Sequence, residues 1–285
     1  MADRLLSGTR ALVTGASSGI GAAIARRLAV RGAALVLAAR RRDRMEALAG
    51  ELRSSAGVTV DVVEVDLTAP GATRALWQAA TAGGTIEILI NNAGFGMMRP
   101  FGAVDLEREH AMLQLNILSL VELTHHFVND VLGRAPRPAR AHVLNVASLA
   151  AWQALPWFAS YAASKAFVRD FSEAIHYELK PQGVAVTCLC PGGTRTEFHE
   201  LAGAGNYGWL ANRSLLSAER VAELGVRAML RGKKTIVPGV LNNIARFLTS
   251  LSPRGLASRT AVLLMGGPRR GALPPPRAPG EAPAP

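Results

Sequence analysis

The amino-acid sequence predicts an α/β protein: a single doubly wound parallel sheet of about seven strands, a Rossmann fold, with helices on both faces. Two observations support this fold class. Short runs of β-branched and aliphatic residues alternate with stretches of helical periodicity, as in repeated β-α-β units. Several runs are apolar at nearly every position, as expected of strands that helices cover on both faces. The predicted strands are residues 10–14, 34–38, 59–65, 86–91, 141–148, 184–190 and 235–237.

Length and composition indicate one folded domain. A chain of 285 residues that is 49% hydrophobic can bury one sizeable core. We expect the domain to cover residues 1–265, including a basic amphipathic extension from about residue 240, and we expect a disordered Pro- and Ala-rich tail over residues 266–285. Apolar runs fall short of the roughly 20 residues of a membrane-spanning helix, and residues 1–10 contain no signal-peptide core. The expected location is therefore cytoplasmic.

The surplus of positive charge belongs to the C-terminal segment. The net charge is +11, and nine of the 32 Lys and Arg residues but only one of the 21 Asp and Glu residues follow residue 230. Because the remainder is nearly neutral, we expect no nucleic-acid partner.

Within the extension, apolar residues recur at helical spacing, flanked by Arg246 and Arg254. The pattern fits either peripheral contact with an anionic membrane surface or a lid or subunit contact packed on the body. The apolar residues are Val240, Ile244, Phe247, Leu248 and Leu251, and a second apolar run covers residues 261–265.

The cysteine and histidine positions do not indicate a metal site. Cys188 and Cys190 lie two residues apart on a predicted strand, so they share a face and are expected to be buried thiols in a reducing compartment. His125 and His126 lie within a helix, without further ligands at suitable spacing. We expect these histidines at the surface or at a subunit interface, and we expect no bound metal.

The first predicted strand is followed by a glycine-rich turn that opens a helix. Glycines in such a turn let the backbone approach a pyrophosphate, and the helix N-terminus favours an anion. The alternative is that the glycines serve only the packing of the turn and bind no ligand. The turn comprises Thr14, Gly15, Ala16, Ser17, Ser18, Gly19, Ile20 and Gly21.

The same turn matches a second pattern from a different class of protein. Gly15, Ser17 and Gly19 fit the Gly-x-Ser-x-Gly nucleophile elbow of a serine hydrolase. Such an elbow needs an oxyanion-hole loop from an earlier strand, yet only nine residues precede this first strand. The pattern therefore favours dinucleotide binding over a Ser17 nucleophile.

The end of the second predicted strand points to the 2′-phosphate of NADP(H). An acidic residue at this position would select NAD, but Arg40, Arg41 and Arg42 stand there instead. Positive charge near the start of a helix opposes the helix dipole unless an anion balances it. We expect Arg40 to be the best phosphate ligand and Arg41 the second, with a solvated basic turn as the alternative.

Two further strand ends carry polar residues near the predicted cofactor site. Asp66, followed by Leu67, could accept a hydrogen bond from the adenine amino group, and helix capping is the alternative. The fourth strand closes with two amides and two small residues, which suits backbone lying against a flat ring or ribose, with a simple turn as the alternative. These residues are Asn91, Asn92, Ala93 and Gly94.

The strongest signal is the pair Tyr161 and Lys165, which lie one turn apart on a predicted helix. A phenol with a pKa near about 10 is a poor base at neutral pH, and an adjacent cation lowers that pKa by favouring the phenolate. Ser148 lies thirteen residues upstream at the predicted end of the fifth strand, where its hydroxyl could come next to the phenol. The three residues together indicate an acid/base site.

At this point the chain resembles the short-chain dehydrogenase/reductase family over about residues 6–240. Residues 14–21 resemble its cofactor loop, and residues 91–94 resemble its Asn-Asn-Ala-Gly motif. By this resemblance the catalytic residues are Asn116, Ser148, Tyr161 and Lys165. The loop after the sixth strand resembles the nicotinamide-side loop of the family, with Thr196 expected to meet the carboxamide. The cofactor-binding residues implied in that loop are Pro191, Gly192, Thr194 and Thr196.

The resemblance implies an oxidoreductase that moves a hydride between NADP(H) and a carbonyl or secondary alcohol. Ser148 would hold the substrate oxygen, Tyr161 would donate its proton, and Lys165 would bind the nicotinamide ribose and lower the pKa of the tyrosine. Asn116 would support a proton-relay water. A homo-oligomer, dimer or tetramer, is implied through helices around residues 106–131 and 161–179. A non-catalytic dinucleotide-binding sensor is disfavoured because it would not need the Ser, Tyr and Lys set.

The candidate substrate pocket is apolar. A hydrophobic ketoacyl, steroid-like or aromatic ketone therefore fits better than a sugar, although core packing explains some of these side chains equally well. The sequence also resembles the branch with hydroxysteroid and 3-ketoacyl reductases. The candidate lining residues are Phe95, Met97, Met98, Leu155, Trp157, Phe158, Phe198, Leu201, Tyr207 and Trp209.

Overall fold

A computed structural model describes residues 5–136, 138, 140–197, 215–252 and 259. Its centre is a seven-stranded sheet in the order β3-β2-β1-β4-β5-β6-β9, and all neighbouring strands are parallel. A separate two-stranded pair joins β7 to β8. The strands are β1 Arg10–Thr14, β2 Ala34–Ala39, β3 Val60–Glu64, β4 Ile88–Asn91, β5 Ala141–Val146, β6 Val184–Leu189, β7 Thr194–Arg195, β8 Leu216–Ser217 and β9 Thr235–Ile236. This confirms the predicted fold class and all seven predicted strands.

Helices cover both faces of the sheet. They are α1 Gly19–Val30, α2 Arg42–Ala56, α3 Ala72–Thr81, α4 Leu106–Leu113, α5 Ser119–Gly133, α6 Ala159–Leu179, α7 Ala218–Leu230 and α8 Val240–Leu251. A π-helical turn, Gln114–Leu118, joins α4 to α5 without a break, and a short 3₁₀ helix, Leu149–Trp152, follows β5.

Strand side chains alternate between two cores, one on each face of the sheet. In β1, Ala11 and Val13 pack into a core with α1, α2 and α7, whereas Leu12 packs into the opposite core with α3 and α5. All three of these side chains are fully buried. The inner strands β1, β2 and β4 are therefore largely apolar, whereas the edge strand β3 carries the exposed Asp61 and Glu64.

The order of the strands determines where on the sheet a ligand can bind. The chain runs outward through β2 and β3 on one side of β1 and through β4, β5 and β6 on the other. The carboxyl ends of β1 and β4 therefore form the crevice at which such folds bind ligands. The segments that follow β1, β2, β4, β5 and β6 all meet at this edge.

The two cysteines are buried, as their spacing predicts, and the paired histidines lie on α5. Cys188 and Cys190 are buried free thiols with their sulfur atoms 3.4 Å apart. His125 contacts Asn129, and the His126 ring stacks on Trp77. Among the described residues, no group of three or more His, Cys, Asp or Glu side chains could hold a metal ion. No helix within the described ranges is long and apolar enough to cross a membrane.

Several predictions fall on residues outside the described ranges. These are the disordered tail over 266–285, the apolar run over 261–265, Arg254, and the pocket candidates Phe198, Leu201, Tyr207 and Trp209.

Candidate active site

The glycine-rich turn after β1 is shaped by close backbone approach. Gly15 has φ +65, a left-handed conformation that favours glycine, and a Cβ there would lie 2.9 Å from the Cα of Ala93. A Cβ at Gly21 would lie 2.3 Å from the carbonyl oxygen of Gly15. Ile20 packs on the core behind the turn. The turn thus brings backbone to the N-terminus of α1, which fits a pyrophosphate-binding cradle.

The segment after β4 locks this turn in place. The Nδ2 of Asn92 donates hydrogen bonds to the carbonyl oxygens of Thr14 and Gly15, at 3.0 and 3.2 Å. The Thr14 hydroxyl accepts hydrogen bonds from the backbone N–H groups of Asn92 and Ala93. Asn91 points into the core instead, where its Nδ2 donates to Thr124 and Asn145. The first amide is therefore structural, and the second holds the cofactor turn.

Arg41 reaches the glycine-rich turn directly. Its guanidinium donates to the hydroxyl of Ser18 at 2.7 Å and to that of Ser17 at 3.1 Å. Its Nη1 also donates to the carboxylate of Glu197 at 2.9 Å, and Arg44 binds the other oxygen of Glu197. These hydrogen bonds, from Arg41 first, lower the pKa of Glu197 to about 2. Two arginines beside the cradle therefore hold an anion in this structure.

Arg40 points into solvent, unlike Arg41, which contacts the glycine-rich turn. Its side chain is 75% exposed, and Nη1 lies 4.0 Å from the carboxylate of Asp66. Asp66 accepts hydrogen bonds from the N–H and hydroxyl of Thr68, and these bonds lower the pKa of Asp66 despite its opposing partial burial. Asp66 thus forms a turn rather than capping α3, whose N-cap is Gly71. Leu67 is buried behind it.

Tyr161, Lys165 and Asn116 come together beneath Gly94. A Cβ at residue 94 would lie 2.8 Å from Asn116 Oδ1 and 3.3 Å from Lys165 Nζ. The Lys165 nitrogen lies 5.8 Å from the centroid of the Tyr161 ring, and both side chains are buried. A Cβ at Gly96 would meet the Tyr161 ring at 2.7 Å. The predicted acid/base residues therefore occupy one compact site beside the backbone that follows β4.

Lys165 is a buried cation with a fixed position. Its Nζ donates a hydrogen bond to the carbonyl oxygen of Val146 at 3.0 Å. Burial lowers the pKa of this ammonium to about 8. Burial also raises the pKa of Cys190, so that thiol stays protonated at neutral pH. At pH 7 the Lys165 side chain therefore still carries its proton in most molecules.

Asn116 is held by a local distortion of the helix. It lies in the π-helical turn between α4 and α5 and is almost fully buried. Its Oδ1 accepts a hydrogen bond from the backbone N–H of Phe95, and its Nδ2 donates to the Phe95 carbonyl and to Ser164 on α6. The π turn, a feature often found at functional sites, therefore ties α6 to the segment after β4.

Ser148 lies two residues beyond the observed end of β5. It is the N-cap of the 3₁₀ helix, and its hydroxyl accepts a hydrogen bond from the backbone N–H of Ala150 at 3.1 Å. The predicted strand was two residues too long because the apolar run continues past Val146.

The surroundings of Tyr161 are apolar. Its ring stacks on Phe158 with centroids 4.2 Å apart, and Leu155 and Met112 belong to the same buried cluster. The predicted pocket residues Phe95, Met97 and Met98 pack against that cluster. Trp157, which lines a crevice of about 30 Å³ with Tyr161, has φ +63, an uncommon conformation for a non-glycine residue. Such backbone strain is typical of functional sites.

The loop after β6 closes the other side of the crevice. Pro191 accepts a hydrogen bond from the N–H of Leu149, and the Thr194 hydroxyl donates to the Gly192 carbonyl. A Cβ at Gly19 would lie 3.1 Å from the side chain of Thr196. Thr196 therefore contacts the glycine-rich turn across the cofactor crevice.

Sequence reasoning missed Glu197, Arg44 and Asn242. Glu197 pairs with arginines more than 150 residues away, and no local pattern signals that contact. Asn242 of α8 approaches Gly192 so closely that a Cβ there would lie 2.6 Å from its amide. Asn242 stands next to a second amide, Asn243, so the sequence gives no signal that singles it out.

The geometry does not support a nucleophilic Ser17. Its hydroxyl accepts hydrogen bonds from Arg41, a permanent cation that cannot remove a proton. The parallel sheet, the cradle after β1 and the Tyr161 and Lys165 site instead define a dinucleotide-binding oxidoreductase.

Comparison with known proteins identifies the family. The model of the short chain dehydrogenase family matches residues 9–205. An uncharacterized oxidoreductase of Myxococcus xanthus is 37% identical over 66% of this chain and 73% of that protein. A 7beta-hydroxysteroid dehydrogenase of Collinsella aerofaciens is 31% identical over 65% of this chain and 68% of that protein. The chain belongs to the short-chain dehydrogenase/reductase family, whose members are oxidoreductases that bind a nicotinamide dinucleotide.

Solved structures of related proteins share the fold. A short-chain dehydrogenase from Sphingobium yanoikuyae in complex with NADPH has 29% identity and a TM-score of 0.73, over 86% of this chain and 97% of that one. A short-chain dehydrogenase/reductase from Burkholderia phymatum in complex with NAD has 26% identity and a TM-score of 0.76, over 86% and 93%. Relatives of this fold thus carry either nicotinamide cofactor.

Proposed function

We propose that this protein is an NADP(H)-dependent oxidoreductase that interconverts a hydrophobic carbonyl compound and its secondary alcohol, with Tyr161 as general acid/base. The observation that carries the proposal is the buried cluster of Tyr161, Lys165 and Asn116 beside Gly94 and Gly96. This cluster accompanies the glycine-rich turn after β1, which Arg41 contacts. The cofactor-binding and catalytic residues are those named from the sequence, extended by Glu197 and Arg44.

In the proposed mechanism each residue has one task. The nicotinamide of the cofactor supplies or accepts the hydride. Tyr161 donates its proton to the developing alkoxide in reduction and removes it in oxidation. Lys165, fixed on the Val146 carbonyl, favours the phenolate form by its positive charge. Ser148 holds the substrate oxygen, and Asn116 orders the segment after β4 on which the cofactor rests.

Preference for NADP(H) is assigned to Arg41 ahead of Arg40, which reverses the order expected from the sequence. Arg41 touches both serines of the cradle and already holds a carboxylate, whereas Arg40 is largely in solvent. Neither position offers the acidic residue that would bind the ribose hydroxyls of NAD. A 2′-phosphate would compete with Glu197 for the guanidinium of Arg41.

The substrate is proposed to be a hydrophobic ketone of the ketoacyl, steroid-like or aromatic class. The apolar cluster around Tyr161 supports this class over a sugar. The hydroxysteroid dehydrogenase among the relatives is consistent with it. We also propose a homo-oligomer that acts in the cytoplasm. The exposed apolar side chains Leu118 on the π turn and Phe167 and Tyr177 on α6 lie within the two predicted interface regions.

A cofactor and substrate panel tests the proposal. Oxidation of NADPH and NADH, followed by the nicotinamide absorbance, is measured with hydrophobic ketones and with sugars as substrates. We expect turnover of hydrophobic ketones with NADPH preferred. Preference for NADH would contradict the cofactor assignment. An activated ester serves as the hydrolase control, and ester turnover that Ser17→Ala abolishes would contradict the whole assignment.

A further inference from the structure

Helix α8, Val240–Leu251, exposes the face that a surface helix normally buries. Its six large apolar side chains are each at least half exposed, whereas its most buried residue is the polar Asn242, at 4% exposure. At 3.6 residues per turn the six fall within an arc of about 120° on one side of the helix. The residues of this apolar face are Val240, Leu241, Ile244, Phe247, Leu248 and Leu251.

The polar side of α8 is fixed to the body, so the apolar face points outward. The Nδ2 of Asn242 donates a hydrogen bond to the Pro238 carbonyl at 2.7 Å, and its amide sits against Gly192. The guanidinium of Arg246 lies 5.8 Å from the centroid of the Trp152 ring. Because amide and guanidinium contacts hold the inner side, rotating the helix to bury its apolar face would break them.

Positive charge lies at the inner side of α8, opposite the apolar face. The helix itself carries Arg246 and no acidic residue. Arg246 shares a groove of about 680 Å³ with Arg169, Lys233 and Lys234. Asp170 pairs with Arg169 and Glu173 pairs with Lys234, so the groove keeps a net charge of about two positive units. In the sequence, no Asp or Glu lies between Glu223 and Glu281.

We propose that α8 is a docking helix that lies in the surface of an anionic membrane, with its apolar face among the acyl chains, and that the net positive charge of the protein, +11, attracts it to the anionic headgroups. Large apolar residues on one side of a helix, in a positively charged protein, are a pattern by which interfacial helices bind. A second copy of this chain would bring the same basic segment against itself, whereas anionic lipid complements the charge. Twelve residues span about 18 Å, so the helix lies along the surface and does not cross it.

Sedimentation with vesicles tests this proposal on the full-length protein. We expect binding to vesicles of phosphatidylcholine mixed with phosphatidylglycerol, and much weaker binding to phosphatidylcholine alone or at high salt. The double variant Ile244→Ser/Phe247→Ser should weaken binding by about tenfold or more, because it removes two inserted side chains. The matched control Leu5→Ser/Val30→Ser replaces two comparably exposed apolar residues outside the predicted subunit interface and should bind as the wild type does.

Three outcomes would contradict the proposal that α8 docks on a membrane. The first is the absence of binding by the wild type to the mixed vesicles. The second is equal binding by wild type and the α8 variant. The third is a change of oligomeric state in the α8 variant, measured by analytical ultracentrifugation, which would make the face a subunit contact. The comparison of the two vesicle types uses the wild-type protein, so it does not depend on how any variant folds. NADPH oxidation by the α8 variant should stay unchanged, because membrane binding and the proposed activity involve different residues.

Discussion

At the scale of single residues, the three consecutive arginines after β2 have three different environments. Arg41 touches the hydroxyls of Ser17 and Ser18, Arg40 lies near Asp66, and Arg42 pairs with Glu46 one turn along α2. The sequence predicts a basic site here but cannot rank its members, because the direction of each side chain depends on the turn that joins β2 to α2. The contacts of Arg41 with Ser17, Ser18 and Glu197 are the reason that we propose it, ahead of Arg40, as the anion ligand.

The arginine assignment predicts a selective loss. Arg41→Ala should raise the KM for NADPH by roughly 10- to 100-fold, since charged hydrogen bonds to a phosphate are lost, and should leave the KM for NADH nearly unchanged. Steady-state kinetics with both cofactors measures this. Arg42→Ala is the control, because that exposed side chain contacts Glu46 on its own helix. An equal rise for both cofactors would show that Arg41 merely supports the turn.

At the scale of elements, the turn from β1 into α1 depends on glycine for two separate reasons. Gly15 supplies a left-handed backbone, and Gly21 lets the first turn of α1 pass within contact of the Gly15 carbonyl. The spacing of these glycines predicts the cradle from sequence alone. The two amides after β4 are different, because only the structure separates Asn91, which points into the core, from Asn92, which holds the turn.

Two glycine-to-alanine substitutions distinguish a steric requirement for glycine from the low helix propensity of glycine. Gly21→Ala should abolish cofactor binding and lower the free energy of unfolding by more than about 1 kcal/mol, because its Cβ would overlap backbone. Gly50→Ala, in the interior of α2 with open space around it, should instead raise the free energy of unfolding by about 0.5–1 kcal/mol. Urea unfolding and cofactor titration of both variants measure this. Normal cofactor binding by Gly21→Ala would contradict the cradle.

At the scale of the whole molecule, the doubly wound parallel sheet and the placing of functional residues at its strand ends follow from the sequence, because β-α-β rhythm and motif spacing are local signals. The pairing of Glu197 with two arginines and the outward face of α8 do not follow. Glu197 meets Arg41 across the crevice, and the orientation of α8 is set by Asn242 and Arg246 rather than by its apolar periodicity. Periodicity predicts a helix but not which side faces the body.

Lys165 links the site to the stability of the whole molecule. The unfolded chain keeps this proton up to about pH 10.4, whereas the folded chain releases it near 8. The unfolded state thus binds more protons between these values, so the contribution of Lys165 makes the free energy of unfolding rise with pH there, by about 3 kcal/mol in total. Below about pH 8 the buried charge is a full cost to folding.

Replacing this lysine should therefore stabilise the fold near neutral pH. Lys165→Met should raise the free energy of unfolding by roughly 1–3 kcal/mol at pH 7, and the gain should shrink as the pH approaches about 10. Urea unfolding at both pH values measures the difference from wild type, and Lys180→Met, at an exposed position, is the control. A destabilised Lys165→Met with no pH dependence would show that the lysine acts chiefly through its hydrogen bond to Val146.

The most direct test of Tyr161 as the acid/base compares Tyr161→Phe with the wild type. The substitution keeps the ring that stacks on Phe158 and removes only the hydroxyl. We expect NADPH binding to persist and the rate of ketone reduction to fall by about 10²- to 10⁴-fold, the usual contribution of a general acid. Reduction of the ketone by Tyr161→Phe at the wild-type rate would contradict the central claim.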